Sequence, residues 1–382
     1  MAGRYLKVLH LINNLKREGA QVVMFNLVTA GGARARHVVC ARAPGGPLQM
    51  ALAAHGIPVH VPERYQGASA TRQSLRFIDR IVESESIDII HAHMADAAFL
   101  GWLAARKRRL PLVITHHGQD ILPGCGGNIL CRMVYAVLLR LAAGYARCNV
   151  AVAPAVAEVL RRRLLLRRGR IEVIANGVPV PEPGPAVCAR PGQGLRIVSV
   201  GRLVALKGQE QLLAAAALLA RHDPDLRLVL VGEGPEREAL RAKARELKLG
   251  ECVSFTGAVD DVSLYLRDAD VFVSASQREG LPMCVLEAMA WQVPVVASDI
   301  PGHRGVIGRD ATGLLFPLGN VQALARALQR VADDPGSARE RARRARQSVE
   351  EHYSIGAVVR AYDRVYAGST STDRRHGELP TA

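Results

Sequence analysis

The stretch Leu195–Pro235 reads LRIVSVGRLVALKGQEQLLAAAALLARHDPDLRLVLVGEGP. Two short apolar runs, each closing on a glycine, bracket a segment of Ala, Leu and Gln with the length and composition of a helix. A helix joining two such runs is the crossover of a parallel sheet, because a tight turn can only reverse a strand. The pattern continues through CVSFTG, VFVSAS, VPVVAS and GLLFP. It also precedes the quoted stretch, from YLKVLHLI at Tyr5 through RHVVCA, IPVHVP, IDIIHAH, PLVITHH, CNVAVAP and IEVIA. Runs apolar at nearly every position belong to strands covered on both faces. Between the two series, VPVPEPGPAVCARPGQG (Val178–Gly194) carries more Pro and Gly than a strand or helix interior tolerates. The expected fold class is α/β, with two Rossmann-like, doubly wound parallel-sheet domains facing across a cleft.

A chain of 382 residues exceeds what one compact core usually supports, which agrees with two domains. The expected division is a first domain at 1–180, a linker at 181–194, a second domain at 195–350, a terminal helix at 351–368 packing back toward the first domain, and a disordered tail at 369–382. At 49% hydrophobic and 22% charged residues, the chain can bury a large core. LLAAAALLA from Leu212 is too short to cross a bilayer, and VYAVLLRLAAGYA from Val134 is interrupted by Arg140. No export signal is visible at the N-terminus, so a cytoplasmic location is expected, with room for peripheral attachment at the inner face of the cell membrane. Seven scattered cysteines, an odd number, read as reduced thiols, and Cys125 and Cys131 lack zinc-knuckle spacing.

The formal charge of +15 belongs to the first half: residues 1–190 hold 25 Lys or Arg against 11 Asp or Glu, and residues 191–382 hold 25 against 24. Clusters at Arg106–Arg109 and Arg161–Arg170 suit an anionic partner such as phospholipid, lipid phosphate or acidic sugar, and equally a solvated arginine-rich face. A nucleic-acid partner is not expected, since aromatic residues are 4% of the chain and no reader module is present.

Ligands of open parallel sheets bind at the carboxyl ends of the strands. There the second series presents GRLVALKG, GEGP, GAVDD and QREGLP. Arg202 and Lys207, flanked by Gly201 and Gly208, can aim two fixed cations at a diphosphate. When a glycosidic bond to a nucleotide diphosphate breaks, negative charge grows on phosphate oxygen, and such cations lower the barrier without a metal. Taken alone, they are equally two surface cations beside a turn. In EGLPMCVLEAMA, Pro282 suits the first turn of a helix and Glu287 falls about one and a half turns inside it. The start of that helix offers unpaired N–H groups to an anion, and Glu287 can accept hydrogen bonds from vicinal ribose hydroxyls. Individually, Glu279 also reads as a cap and Glu287 as an exposed residue.

Together these motifs resemble the retaining glycosyltransferases of family 4 (glycosyl transferases group 1), with their two-Rossmann GT-B architecture. The resemblance is carried by THHGQD at Thr115, NGV at Asn176, VGRLVALKG at Val200, LVLVGEGP at Leu228, the EGLPMCVLE box with seven residues between its glutamates, and PVVASD at Pro294. It implies an acceptor-side first domain and a second domain that binds the nucleotide sugar. Arg202 and Lys207 would bind the donor diphosphate beside Gly201, Glu287 the ribose, and Glu279 the donor sugar. Backbone groups near Gly280, Leu281 and Pro282 would hold sugar hydroxyls or phosphate, while Ala258 and Val259 would pack against the base. His117, in the family's Thr-x-His-Gly segment, would approach the donor sugar as a transition-state positioner. The Asn13–Ala20 loop, with Gly19, is similar to the family's glycine-rich loop, although Glu18 stands where a second glycine is common. Gln292 and Gly305 also depart from the pattern, at positions where a glycine and a glutamate are frequent.

The implied reaction is hexosyl transfer with retention by front-face displacement, in which the leaving phosphate oxygen helps to remove the acceptor proton. The implied donor is a UDP- or GDP-sugar, with UDP favoured, and no cofactor or metal is implied. The acceptor would be a saccharide or lipid-linked sugar in cell-surface polysaccharide or glycolipid biosynthesis.

Other readings compete with this one. His91, His93, His116 and His117 lack the acidic or cysteine complement of a metal site; His91 reads as a packed strand residue and His93 as a border of the cleft. GEGPER resembles a dinucleotide loop, but Arg237 replaces its third glycine. A nucleotide-sugar epimerase of GT-B architecture is a closer rival. A non-catalytic membrane-docking relative is another, opposed by the intact set Arg202, Lys207, Glu279 and Glu287.

Overall fold

The computed structural model describes residues 5–32, 34–62, 70–118, 129–182, 194–259, 261–308 and 311–370. Most of the expected linker, the expected tail beyond Thr370, and Gln119, Asp120 and Cys125 lie outside these residues. The chain forms two compact units, one of residues up to Gly177 together with those from Ile355 onward, the other Val178–Ser354.

In the first unit the strands are β1 (Leu6–Ile12), β2 (Ala35–Ala41), β3 (Val59–His60), β4 (Ile89–His93), β5 (Leu112–His116), β6 (Cys148–Ala151) and β7 (Ile171–Val173). The second contains β8 (Arg196–Val200), β9 (Arg227–Val231), β10 (Val253–Gly257), β11 (Val271–Ser274), β12 (Val295–Ser298) and β13 (Leu314–Phe316). Among the described residues the sheet orders are β3-β2-β1-β4-β5-β6-β7 and β10-β9-β8-β11-β12-β13, every pair parallel. Both are doubly wound Rossmann-like sheets whose order reverses beside the first strand, between β1 and β4 and between β8 and β11.

The stretch Leu195–Pro235 forms β8, the Gln209–Leu219 helix and β9, with Arg196 opposite Arg227 and Val200 opposite Val231. Leu212, Leu213, Ala216 and Leu219 of that helix bury against Ile197, Leu228 and Leu230. Val198 and Val231 serve the other face, against Val285, Leu286 and Met289 of the Met283–Ala290 helix. This two-sided burial is why the strands carry apolar side chains at consecutive positions.

One face of the first sheet lies under the Ala95–Arg108 and Ile129–Tyr145 helices. The opposite face, including Val8, Ile89, Val113 and Val150, is covered by the Ile355–Thr370 helix. That helix buries Val358, Val359, Tyr362, Val365 and Tyr366, a helical spacing that forms one apolar stripe. Full burial of a side chain of this size contributes about 1.5–3 kcal/mol, so the stripe holds the helix to the sheet.

The basic clusters are not wholly available to a partner. Lys107 and Arg108 both bind Asp79, and Arg108 also binds Glu83 at 2.5 Å. Arg161 and Arg162 bind Glu158 one helical turn away, and Arg170 donates to the carbonyls of Gly144 and Ala146 at 3.0 Å. Among the described residues, no helix is long and apolar enough to cross a membrane.

Candidate active site

The loops after β8 and β11 flank the point where the second sheet reverses its order. From Val200 the chain makes a 3-10 turn at Ala205–Lys207 before the Gln209–Leu219 helix. Gly208 has φ 67°, and a Cβ there would stand 2.3 Å from the carbonyl oxygen of Ala275, just past β11. Only glycine fits both demands. The Gln277 N–H donates to Leu206 O at 2.9 Å, and its side-chain amide to Ala205 O at 3.3 Å. The loop after β9 joins them: a Cβ on Gly232 would meet Gly201 O at 2.0 Å, and the Leu203 N–H donates to Glu233 O at 3.0 Å.

Across this junction Lys207 Nζ donates to Glu279 Oε1 at 2.5 Å, with the side chains 25% and 13% exposed. Burial lowers the Lys207 pKa, but the charge of the Glu279 carboxylate and its hydrogen bond oppose this, and the net shift is upward, so the ammonium is secure. Burial pushes the Cys284 thiol up to about 12, with Lys207 opposing and Glu279 and Glu287 adding to the shift. Cys284 is therefore a neutral thiol, and Lys207, Glu279, Cys284 and Glu287 share one electrostatic neighbourhood. Arg202 is exposed on the same loop, close enough for its charge to act on Lys207, and Gln209 donates to its carbonyl at 2.9 Å.

Gly280 and Leu281 are half-buried and Pro282 is buried. Pro282 caps the Met283–Ala290 helix instead of sitting in its first turn, because its ψ of 101° is extended. Glu287 is half-buried in that helix, while Val259 packs beside Val200 and Val231 and Ala258 is exposed. The structure thus brings Gly201, Arg202, Lys207, Glu279, Gly280, Leu281, Pro282, Glu287 and Val259 to the carboxyl edge of one sheet.

Behind the Glu279 loop lies a polar support that no sequence motif marks. His303 is fully buried, with Nδ1 2.8 Å from Ser298 O and Nε2 3.1 Å from Ser274 Oγ. A carbonyl can only accept, so the ring carries its proton on Nδ1 and accepts the Ser274 hydroxyl at Nε2. Ser298 Oγ donates to Ser276 O at 2.5 Å. Burial depresses the His303 pKa, and the Ser298 carbonyl and Glu279 only partly offset this. Gly302 presses on the loop as well: a Cβ there would stand 2.6 Å from Glu279 O and 2.9 Å from Glu279 Cβ.

Comparison with known proteins fits this geometry. Residues 8–181 match glycosyltransferase family 4, and residues 186–348 match the glycosyl transferases group 1 family. The glycogen synthase of Mycobacterium tuberculosis is 30% identical over 296 residues, covering 75% of this chain and 70% of the relative. The chain belongs to glycosyltransferase family 4. An Escherichia coli relative of this family 4 glycosyltransferase, the UDP-Gal:alpha-D-GlcNAc-diphosphoundecaprenol alpha-1,3-galactosyltransferase, is 28% identical over 69% of this chain and 70% of its own. Among solved structures, Anabaena HepE in complex with UDP-glucose superposes with a TM-score of 0.80 at 22% identity, covering 95% of this chain and 100% of that one. The fold is GT-B.

The remaining two candidates of the family 4 enzyme belong to the first unit. His117 follows β5, is half-buried, and lies with Nε2 3.1 Å from His93 Nδ1. Burial, helped by His116, pulls its pKa down to about 3, so the ring is neutral. His116 turns to the other face of the sheet and meets Asn149 Oδ1 at 3.1 Å. Gly19 opens the Gly19–Ala30 helix, with open space where a Cβ would stand. His93 does not border a cleft: it is 1% exposed, because the alternation of β4 turns it into the core beside His10.

Proposed function

We propose that this family 4 glycosyltransferase transfers a hexosyl group from a UDP-sugar, with retention and without a metal, to a saccharide or lipid-linked acceptor. The Lys207–Glu279 pair at the sheet reversal is the observation that carries this reading. An ammonium has three N–H donors. One holds Glu279, which leaves two to donate to the diphosphate oxygens on which charge accumulates as the donor bond breaks. Arg202 supplies a second cation that cannot be discharged. Glu279, held in place by Lys207, is suited to accept from hydroxyls of the donor sugar, and Glu287 from the ribose. A UDP-Gal galactosyltransferase among the relatives and the UDP-glucose complex of HepE favour uridine as the base.

The test is a donor panel of UDP- and GDP-sugars with EDTA present, scored by thermal shift and then by turnover on saccharide and lipid-linked acceptors. UDP-sugars are expected to raise Tm, and NMR of the product to show the donor's anomeric configuration. Isomerised sugar formed without acceptor would identify an epimerase, and no donor-dependent shift would identify a docking relative.

A cytoplasmic enzyme bound peripherally to anionic membrane is the extension we favour, because of one helix. Ile129–Tyr145 packs Leu139, Ala142 and Ala143 inward, yet Leu130, Met133, Val134, Val137 and Leu141 are each at least 49% exposed along its opposite side. Exposed Arg132 and Arg140 lie on the same helix. Such a surface suits insertion among anionic headgroups. Binding to anionic liposomes should be lost in Val137→Asp; equal binding of this variant, or equal binding to neutral liposomes, would reject the idea.

A further inference from the structure

Four histidines of the first unit meet ring to ring. His117 Nε2 lies 3.1 Å from His93 Nδ1, His93 Nε2 3.0 Å from His10 Nδ1, and His10 Nε2 2.9 Å from His37 Nδ1. The His93 ring stacks near His117 and near His10, with centroids 5.4 and 5.3 Å apart. His10 and His93 are fully buried, His37 nearly so, and His117 is half-buried at the end of its strand.

Every contact in this series joins an Nδ1 to an Nε2. A neutral imidazole has one donor and one acceptor nitrogen, so each contact takes a single proton and passes its direction on. Only two arrangements satisfy all three contacts: every ring protonated on Nε2, or every ring protonated on Nδ1. A break in the series sets two lone pairs or two protons against each other in a dry core. We propose that His37, His10 and His93 act as positioning residues, a tautomer-coupled chain that dictates which nitrogen of His117 carries its proton and keeps that ring uncharged. The functional half of this inference rests on the reading of His117 as a donor-sugar contact: positive charge develops at the anomeric carbon in the transition state, and an imidazolium there would oppose it.

The neighbouring groups fit a neutral chain. His91 stands outside it, since its Nδ1 meets Tyr366 Oη at 2.9 Å and its Nε2 meets Thr115 Oγ1 at 2.8 Å, with Tyr362 Oη 3.0 Å from Thr115 Oγ1. Its ring centroid, 4.2 Å from that of His93, props the chain from the side. Among the described residues, the groups facing the rings are Tyr362 and Tyr366 of the Ile355–Thr370 helix, with Asp363 near Tyr366, Cys148 of β6 near Tyr362, and His116 of β5 near His117. Both phenols are pushed up by burial and stay protonated. Nitrogens of His10, His91 and His93 lie within 4.8 Å of one another, the spacing of a metal site. Here, however, the His10 and His93 nitrogens face each other, and those of His91 face hydroxyls.

Long-range proton–nitrogen NMR of the full chain labelled with ¹⁵N-histidine tests this between pH 5 and 8. We expect His37, His10, His93 and His117 to share one tautomer and none to titrate in that range. In His93→Leu, His117 should show mixed tautomers and titrate toward the ordinary value near 6.5. Turnover below pH 6 should then fall about tenfold, with donor KM moving less. His93→Gln, which keeps one donor and one acceptor, should restore most of that turnover. His37→Phe alters the end remote from His117 and should still shift the His117 nitrogen signals. Unlike tautomers in the wild type, or His117 signals unmoved in both His93→Leu and His37→Phe, would overturn the chain. So would stoichiometric Zn²⁺ binding that moves His10, His91 and His93 together. Because the spectra do not depend on activity, coupled spectra in a protein without transferase activity would sink the functional reading and leave the chain standing.

Discussion

Lys207 touches Glu279 with one of three donors, and the consequence of removing it follows from that division of labour. We predict that Lys207→Ala lowers kcat by orders of magnitude, since loss of one preorganised donor to a developing oxyanion costs about 3 kcal/mol of barrier. Near-normal turnover at saturating donor would refute the assignment. Glu287→Gln is expected to raise the donor Kd, measured by calorimetry, while leaving Tm within about a degree, as for a substitution at a half-buried position. Unchanged affinity with a collapsed Tm would make Glu287 structural. Gly302→Ala tests the backbone behind the site. The added methyl would have to sit 2.6 Å from the Glu279 carbonyl oxygen, so the Glu279 loop must shift. A shift of about 1 Å in a positioning element costs on the order of 100-fold in rate. A variant with wild-type kcat would show that Glu279 has no role at the donor.

At the scale of elements, the start of the loop after β11 is held by His303, Ser274, Ser276 and Ser298, all buried. His303→Leu strands the Ser274 hydroxyl at a cost of about 1–3 kcal/mol, and we predict a lower Tm together with reduced kcat. A drop in Tm with kcat intact would limit His303 to stability. These elements also separate what a linear sequence reveals from what only folding brings together. The β8–helix–β9 unit is legible because its signals are local: glycine-closed apolar runs, a Gln- and Ala-rich helix, and cations within one loop. Both glutamates of the EGLP box are legible for the same reason. His303 is not, because its partner Ser274 is 29 residues away and only strand register brings them together. The histidine chain is less legible still. His10 and His93 are 83 residues apart, and a period-two pattern shows that a strand residue faces inward without showing which ring it meets. The two arginine clusters are legible as charge, but the sequence does not show that Glu158 and, from another helix, Asp79 occupy several of those charges.

On the scale of the whole molecule, depressed histidines are unevenly shared. His37 and His116 are pulled down to about 4 and His117 to about 3, and His10, His91 and His93 are likewise held well below the ordinary imidazole value, all chiefly by burial. The second unit contributes His303. Each ring is neutral when folded and takes a proton near 6.5 when unfolded, so the unfolded chain binds more protons below that value. Stability present above pH 6.5 should therefore be lost as the pH falls toward 4, and mainly from the first unit. Hydrogen exchange at pH 5.2 is expected to show β1, β4 and β5 opening before β8 and β11. Simultaneous opening, or greater protection at pH 5.2 than at 7.5, would contradict this.

The return of the Ile355–Thr370 helix to the first sheet bears on how the protein is made. A ribosome delivers residues from the N-terminus, and domains commonly close in that order as they emerge. Here His91 waits for Tyr366, 275 residues later, and Val8, Ile89 and Val113 wait for Val358 and Tyr362. The nascent first unit must leave part of one face of its sheet, around Ile89 and Val113, without this cover while the whole of the second is synthesised. Val178–Ser354, complete in itself, is thus the part that can mature on the ribosome, and the first-made half of the chain is the last to be finished.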